Sequence, residues 1–147
     1  GWKSTNRGNV NSDGFAHFTF TYDASDTSSN AFQFYWNGAQ LTSSVNNQSG
    51  TRSSSWTAGS FAIADIISST TNNPNVFQGG VDQVSMYDKV LSQSEITALY
   101  NSGTPITGTD ASVTSNLLGE YRLENNANNS ASTFPNLTNT GGTFTSY

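Results

Sequence analysis

The chain has 147 residues, of which 10 are acidic and 5 basic, giving a formal charge of −5. The cations Lys3, Arg7, Arg52, Lys89 and Arg122 form no cluster, which argues against nucleic acid or an anionic membrane surface as a partner. Cysteine is absent, so disulfides, thiol catalysis and cysteine metal sites are excluded, and no run approaches the roughly 18 apolar residues of a membrane span.

Charged residues make up only 10% of the chain, against about 25% in ordinary soluble domains. Ser, Thr, Asn, Gln and Gly must supply the polar surface, a composition that suits a β-rich, exposed structural or adhesive protein. The length fits one domain with a real core. No basic-then-apolar leader opens the chain and Gly1 is not a methionine, so the expectation is a processed chain or a portion of a longer one.

From His17 to Tyr22 the residues alternate, with Phe18, Phe20 and Tyr22 on one face and His17, Thr19 and Thr21 on the other, the pattern of a half-buried strand. The next run repeats it, with Phe32, Phe34 and Trp36 expected inward and Gln33 and Tyr35 outward. Asn37-Gly38 then offers a two-residue type I′ turn into a strand over 39–45. A polar loop over 46–60, a strand beginning at Phe61 and Ile63, and a loop around Asn72, Asn73 and Pro74 are expected next.

A strand over Val81 to Tyr87 follows, and then one sharply bounded helix. Ser92 and Glu95 have the spacing of a capping box, and Leu91 and Ile96 that of a hydrophobic staple. Ile96, Leu99 and Tyr100 form the apolar stripe, and Gly103 is expected to supply a left-handed stop. The stretch from Thr104 to Ser115 has the character of a linker.

Two of these segments carry a resemblance. GGVDQVSMYDKVLSQSEITALYNSG (79–103) resembles the closing segment of laminin G-like, concanavalin A-like jelly-roll domains, and GFAHFTFTYDASDTSSNAFQFYWNG (14–38) resembles that family's pair of middle strands. The resemblance implies an all-β fold, a two-sheet antiparallel jelly-roll sandwich with one short helix near 93–101. The last segment, 117–147, looks like the opening strand and loop of the same family, placed here after the strands it normally precedes, while 1–14 is too polar to supply the strands the family has there.

The expected organisation is therefore a main part of the sandwich over 1–103, a linker-like stretch over 104–116, and a permuted strand segment over 117–147. That segment, with Leu118, Tyr121 and Leu123 as its assembly residues, either completes its own sandwich or adds a strand to a neighbouring subunit. A third reading makes the chain a window on a longer tandem array.

Hydrolytic relatives on this fold need two carboxylates roughly 5 to 9 Å apart, on a strand that alternates Glu, Asp and Glu. The matching strand here has Asp82 alone. Glu120 and Glu124, four apart on one strand face, would be about 13 Å from each other, too far for the pair. The lone histidine, His17, has no accompanying nucleophile motif and is expected to be a polar strand residue. No catalytic residue is therefore expected.

For metals, Asp23 and Asp26 in the loop DASDTSSN, and Asp82 on its strand, have hard oxygens that suit Ca²⁺. Turn formation explains the first two more simply, a structural carboxylate explains the third, and no other cofactor is implied. For carbohydrate, Trp2, Tyr35, Trp56 and Tyr87 fall off the expected inward faces, where pyranose rings stack. The sequons at Asn47, Asn128 and Asn136 matter only in a eukaryotic secretory setting.

The leading expectation is a non-enzymatic structural or adhesive module on a virion surface or outside a cell, partnered by copies of itself, other structural subunits or glycans. A free-standing carbohydrate-binding lectin, calcium-assisted through Asp23, Asp26 or Asp82, is the alternative.

Overall fold

In a computed structural model, residues 15–41, 80–103, 115–131 and 133–139 are described, together with Ile63, Ile106, Val113, Thr143 and Phe144. Strand β1 (Phe18–Tyr22) pairs antiparallel with β2 (Phe32–Trp36), with Phe18 opposite Trp36, Phe20 opposite Phe34 and Tyr22 opposite Phe32. The connection closes where the Asp23 amide donates to the Ala31 carbonyl over 2.8 Å. Asn37 and Gly38 both have positive φ, 48° and 75°. That is the combination of a type I′ turn, and it leads into β3 (Ala39–Gln40) on the far side of β2.

A second sheet pairs β4 (Val84–Tyr87) antiparallel with β5 (Leu117–Tyr121), Ser85 lying opposite Glu120 and Met86 opposite Gly119. The start of the segment expected to be permuted, 117–121, thus pairs with a strand of its own chain. Beyond Tyr121 the strand breaks, because Leu123 and Asn125 adopt left-handed φ of 59° and 61°. The expected strand over Val81 to Tyr87 is shortened at its start by Gln83, whose φ of 45° interrupts the alternation. Asp82 is consequently exposed and is not trapped on the apolar face with Val84 and Met86.

Helix α1 (Gln93–Tyr100) begins as the sequence predicts. The Ser92 hydroxyl accepts from the Glu95 amide at 3.3 Å, and the Ser92 amide donates to Glu95 Oε2 at 2.8 Å. Its end differs from expectation. Asn101, at φ 41°, takes the left-handed position and donates its amide to the Thr97 carbonyl, with Ser102 at φ 56° after it. Asparagine tolerates this region nearly as well as glycine, so the chain turns before Gly103.

The core lies where α1 meets the two sheets. Leu91, Ile96, Tyr35 and Val113 are buried together, with Tyr87, Ala98 and Leu99 packed around them. Leu91 and Ile96 meet as the staple spacing predicts, and Ile96 has no exposed surface. Val113, in the linker-like stretch, contributes to the same core.

The orientation of the first sheet is a correction. Tyr35 is only 7% exposed and Thr21 is buried with it, whereas Phe18 and Phe20, expected inward, are 56% and 46% exposed. The helix approaches the Thr21 and Tyr35 face, and Tyr35 fills the space beside Ile96 and Leu91. Among the described residues the architecture is mostly β, with antiparallel sheets and one short α-helix, consistent with a sandwich.

Candidate binding face

Because strand side chains alternate with period two, the β1 and β2 register puts Phe18, Phe20, Tyr22, Phe32, Phe34 and Trp36 on one face. All of these rings but that of Trp36 lie in a chain of ring pairs. Centroids are 5.8 Å apart for Phe18 and Phe34, 5.1 Å for Phe20 and Phe34, 5.6 Å for Phe20 and Phe32, and 4.5 Å for Tyr22 and Phe32. These are the separations of interacting aromatic pairs. Phe20 and Tyr22 lie within 21° and 25° of parallel to Phe32. Phe18 and Phe20 are the exposed rings of the face, and Tyr22, Phe32, Phe34 and Trp36 are half-buried.

The loop after β1 is built from side-chain turns. Asp23 Oδ1 accepts from the Ser25 amide at 2.8 Å and the Ser25 hydroxyl at 2.6 Å, and Asp26 Oδ1 accepts from the Ser28 amide at 2.7 Å. The two Ser25 bonds hold the Asp23 carboxyl below its ordinary value. This geometry accounts for both aspartates as turn formers. No group of three or more histidine or carboxylate side chains fit to hold a metal occurs among the described residues.

On the second sheet, Glu120 is only 2% exposed. Its Oε2 accepts from the Ser130 hydroxyl at 2.7 Å and from Arg122 Nε at 3.4 Å, while its buried Oε1 has no hydrogen-bond partner among the described residues. Burial pushes the nearby Tyr87 phenol up, the Glu120 carboxylate adds to that, and a hydrogen bond with Ser85 opposes it. Glu124 is exposed, beyond the end of β5. The expectation that Glu120 and Glu124 share a strand face is therefore overturned by the left-handed residues at 123 and 125.

A family model described as the concanavalin A-like lectin/glucanases superfamily matches residues 1–97. The chain belongs to this superfamily. No curated protein and no solved structure matches it.

In this superfamily member the two described residues of those singled out for carbohydrate contact, Tyr35 and Tyr87, both pack at the core. Tyr35 is in the core, against its expected exposure, because α1 packs on its face of β2. Tyr87 is half-buried against the same core, and Trp2 and Trp56 lie outside the described residues. Of the assembly residues, Tyr121 is buried, its hydroxyl donating to the Pro135 carbonyl at 2.9 Å, and Leu118 and Leu123 are half-buried. The exposed rings of Phe18 and Phe20 were missed because alternation shows that two faces differ without showing which one is covered.

Proposed function

We propose that the chain is a non-enzymatic adhesive module of an exposed assembly, virion-borne or extracellular, built on a two-sheet jelly-roll and making contact through the Phe18 and Phe20 side of its first sheet. The observation that carries this reading is the exposure of those two rings, 56% and 46%, within a face made wholly of aromatic side chains. Contiguous apolar surface of this kind marks an interaction site more often than it stands idle. A five-residue strand is about 17 Å long and its neighbour lies about 4.8 Å away, so the two-strand face covers well under the roughly 800 Å² per partner of a stable protein pair. Such a face suits a weak contact repeated across many copies, where avidity supplies the strength.

A second reading, a free-standing lectin, draws on the same rings, since apolar faces of sugars stack on aromatic side chains, and the superfamily is compatible with carbohydrate binding. Calcium assistance through Asp23, Asp26 or Asp82 belongs to that reading.

Light scattering and a glycan panel, run on the chain and on the Phe18→Ser, Phe20→Ser double variant, separate these outcomes. A multimer that dissociates in a variant still melting cooperatively supports the adhesive module. A monomer whose glycan binding disappears in the variant supports the lectin. Loss of cooperative melting in the variant, or an unchanged multimer, overturns the use of this face for contact.

A further inference from the structure

His17 is the only histidine in the chain, and it stands where the first sheet meets the helix. Its amide donates to Asn37 Oδ1 at 2.9 Å, and its carbonyl accepts from the Asn37 amide at 2.8 Å, so its backbone is locked to the hairpin turn. Its ring lies 6.0 Å from that of Tyr100, the last residue of α1. Tyr100 also covers Gly38, whose carbonyl accepts from Gln93 Nε2 at 2.6 Å. The imidazole Nδ1 is buried and has no hydrogen-bond partner among the described residues.

We infer that this joint between the β1–β3 sheet and α1 is an acid-sensitive coupling, released when His17 takes up a proton. A protonated imidazole is a donor at both nitrogens, and a buried N–H without an acceptor, carrying charge, is costly. The ring escapes that cost by turning to solvent, which it cannot do while packed on Tyr100. Among the described residues the groups facing it are few. From α1 the titratable neighbour is Tyr100, the turn presents Asn37 and Gly38, which do not titrate, and β1 continues into Phe18. Glu95 is at the other end of the helix, about 7.5 Å along its axis from Tyr100, and is held by Lys89 and Ser92. The helix C-terminus favours a nearby cation, but burial lowers the histidine below its ordinary 6.5.

The sign follows from that direction. A base held below its ordinary value in the fold binds fewer protons folded than unfolded, so the joint is fully made above about pH 6.5 and weakens as pH falls below it. Release loosens the His17 and Tyr100 end of the joint, while Tyr35 stays packed with Leu91 and Ile96 and the capping box stays intact, because Glu95 titrates far lower.

The test uses the His17 ring resonances and amide exchange of the intact chain between pH 7.5 and pH 5, beside His17→Gln. The expected result is a histidine midpoint below 6.5 and exchange at the Asn37 and Asn101 amides, corrected for intrinsic rate, that quickens severalfold as pH falls through that midpoint, with no such change in His17→Gln. A midpoint at or above 6.5, or the same quickening in both chains, overturns the inference. The ring titration needs no variant, so the test stands if His17→Gln folds poorly.

Discussion

Tyr100 lies directly over Gly38, so close that a Cβ at Gly38 would come within 3.0 Å of the Tyr100 ring. A glycine chosen for its positive φ in a hairpin turn is therefore also the seat of the helix on the sheet. The two requirements meet at one residue, and neither can be relaxed alone.

Gly38→Ala is expected to lose stability on both counts, through strain at φ 75° and displacement of Tyr100. A loss of about 1–3 kcal/mol should appear in denaturant unfolding. Asn37→Gly keeps the turn geometry but removes the acceptor for the His17 amide, and should cost less than Gly38→Ala.

The reversed orientation of the first sheet predicts unequal effects of truncating hydrophobic residues. Ile96→Ala empties a fully buried position and should cost about 2–5 kcal/mol. Phe18→Ala removes an exposed ring with one partner, Phe34, and should cost about 1 kcal/mol. Equal losses in the two variants would show that the Phe18 face is covered after all.

The capping box sets an acid limit on the helix. Glu95 is held at about 2, first by the hydrogen bond from Lys89 and then by those from the Ser92 amide and hydroxyl. A carboxyl that ionises more readily folded than unfolded contributes fully above pH 4.5, and that contribution fades as pH falls toward 2. Helical circular dichroism should decline in this window, and the decline should be shallower in Glu95→Gln. Ser92→Ala, which removes the cap itself, should cost about 1 kcal/mol.

Glu120 offers a test of a buried carboxylate. Glu120→Ala removes the carboxylate that accepts from the Ser130 hydroxyl and Arg122 Nε, leaving that hydroxyl only the main-chain carbonyl of residue 120. It should cost about 1–3 kcal/mol, the order of a lost hydrogen bond to a charged group. Glu120→Gln keeps an acceptor for Ser130 and carries no charge, so thermal melting should place it above the alanine variant. A glutamine variant as unstable as the alanine one would mean that the ionised group itself is required.

The legible parts of the fold were the locally encoded ones. Asn37-Gly38, the Ser92 and Glu95 box, and the Leu91 and Ile96 staple are each fixed by contacts between residues within five positions of one another, and each stands where its spacing placed it. Gly103 was misjudged because Asn101 met the same left-handed requirement two residues earlier. The exposure of Asp82 was not legible from alternation, because the positive φ at Gln83 resets which face follows it.

The sequence by itself determined the hairpin turn, the helix and its start, the alternating strands, and membership of a family recognisable from two motif-bearing segments. Only the tertiary structure decided which side of β1 and β2 is inside, that β5 pairs with β4, and that Glu120 is buried while Glu124 is not. The reason is physical. Turn chemistry and capping are complete within a few residues, whereas the choice of a buried face depends on what arrives from far along the chain, and here α1 brings Ile96 to Tyr35 and leaves Phe18 and Phe20 to the other side.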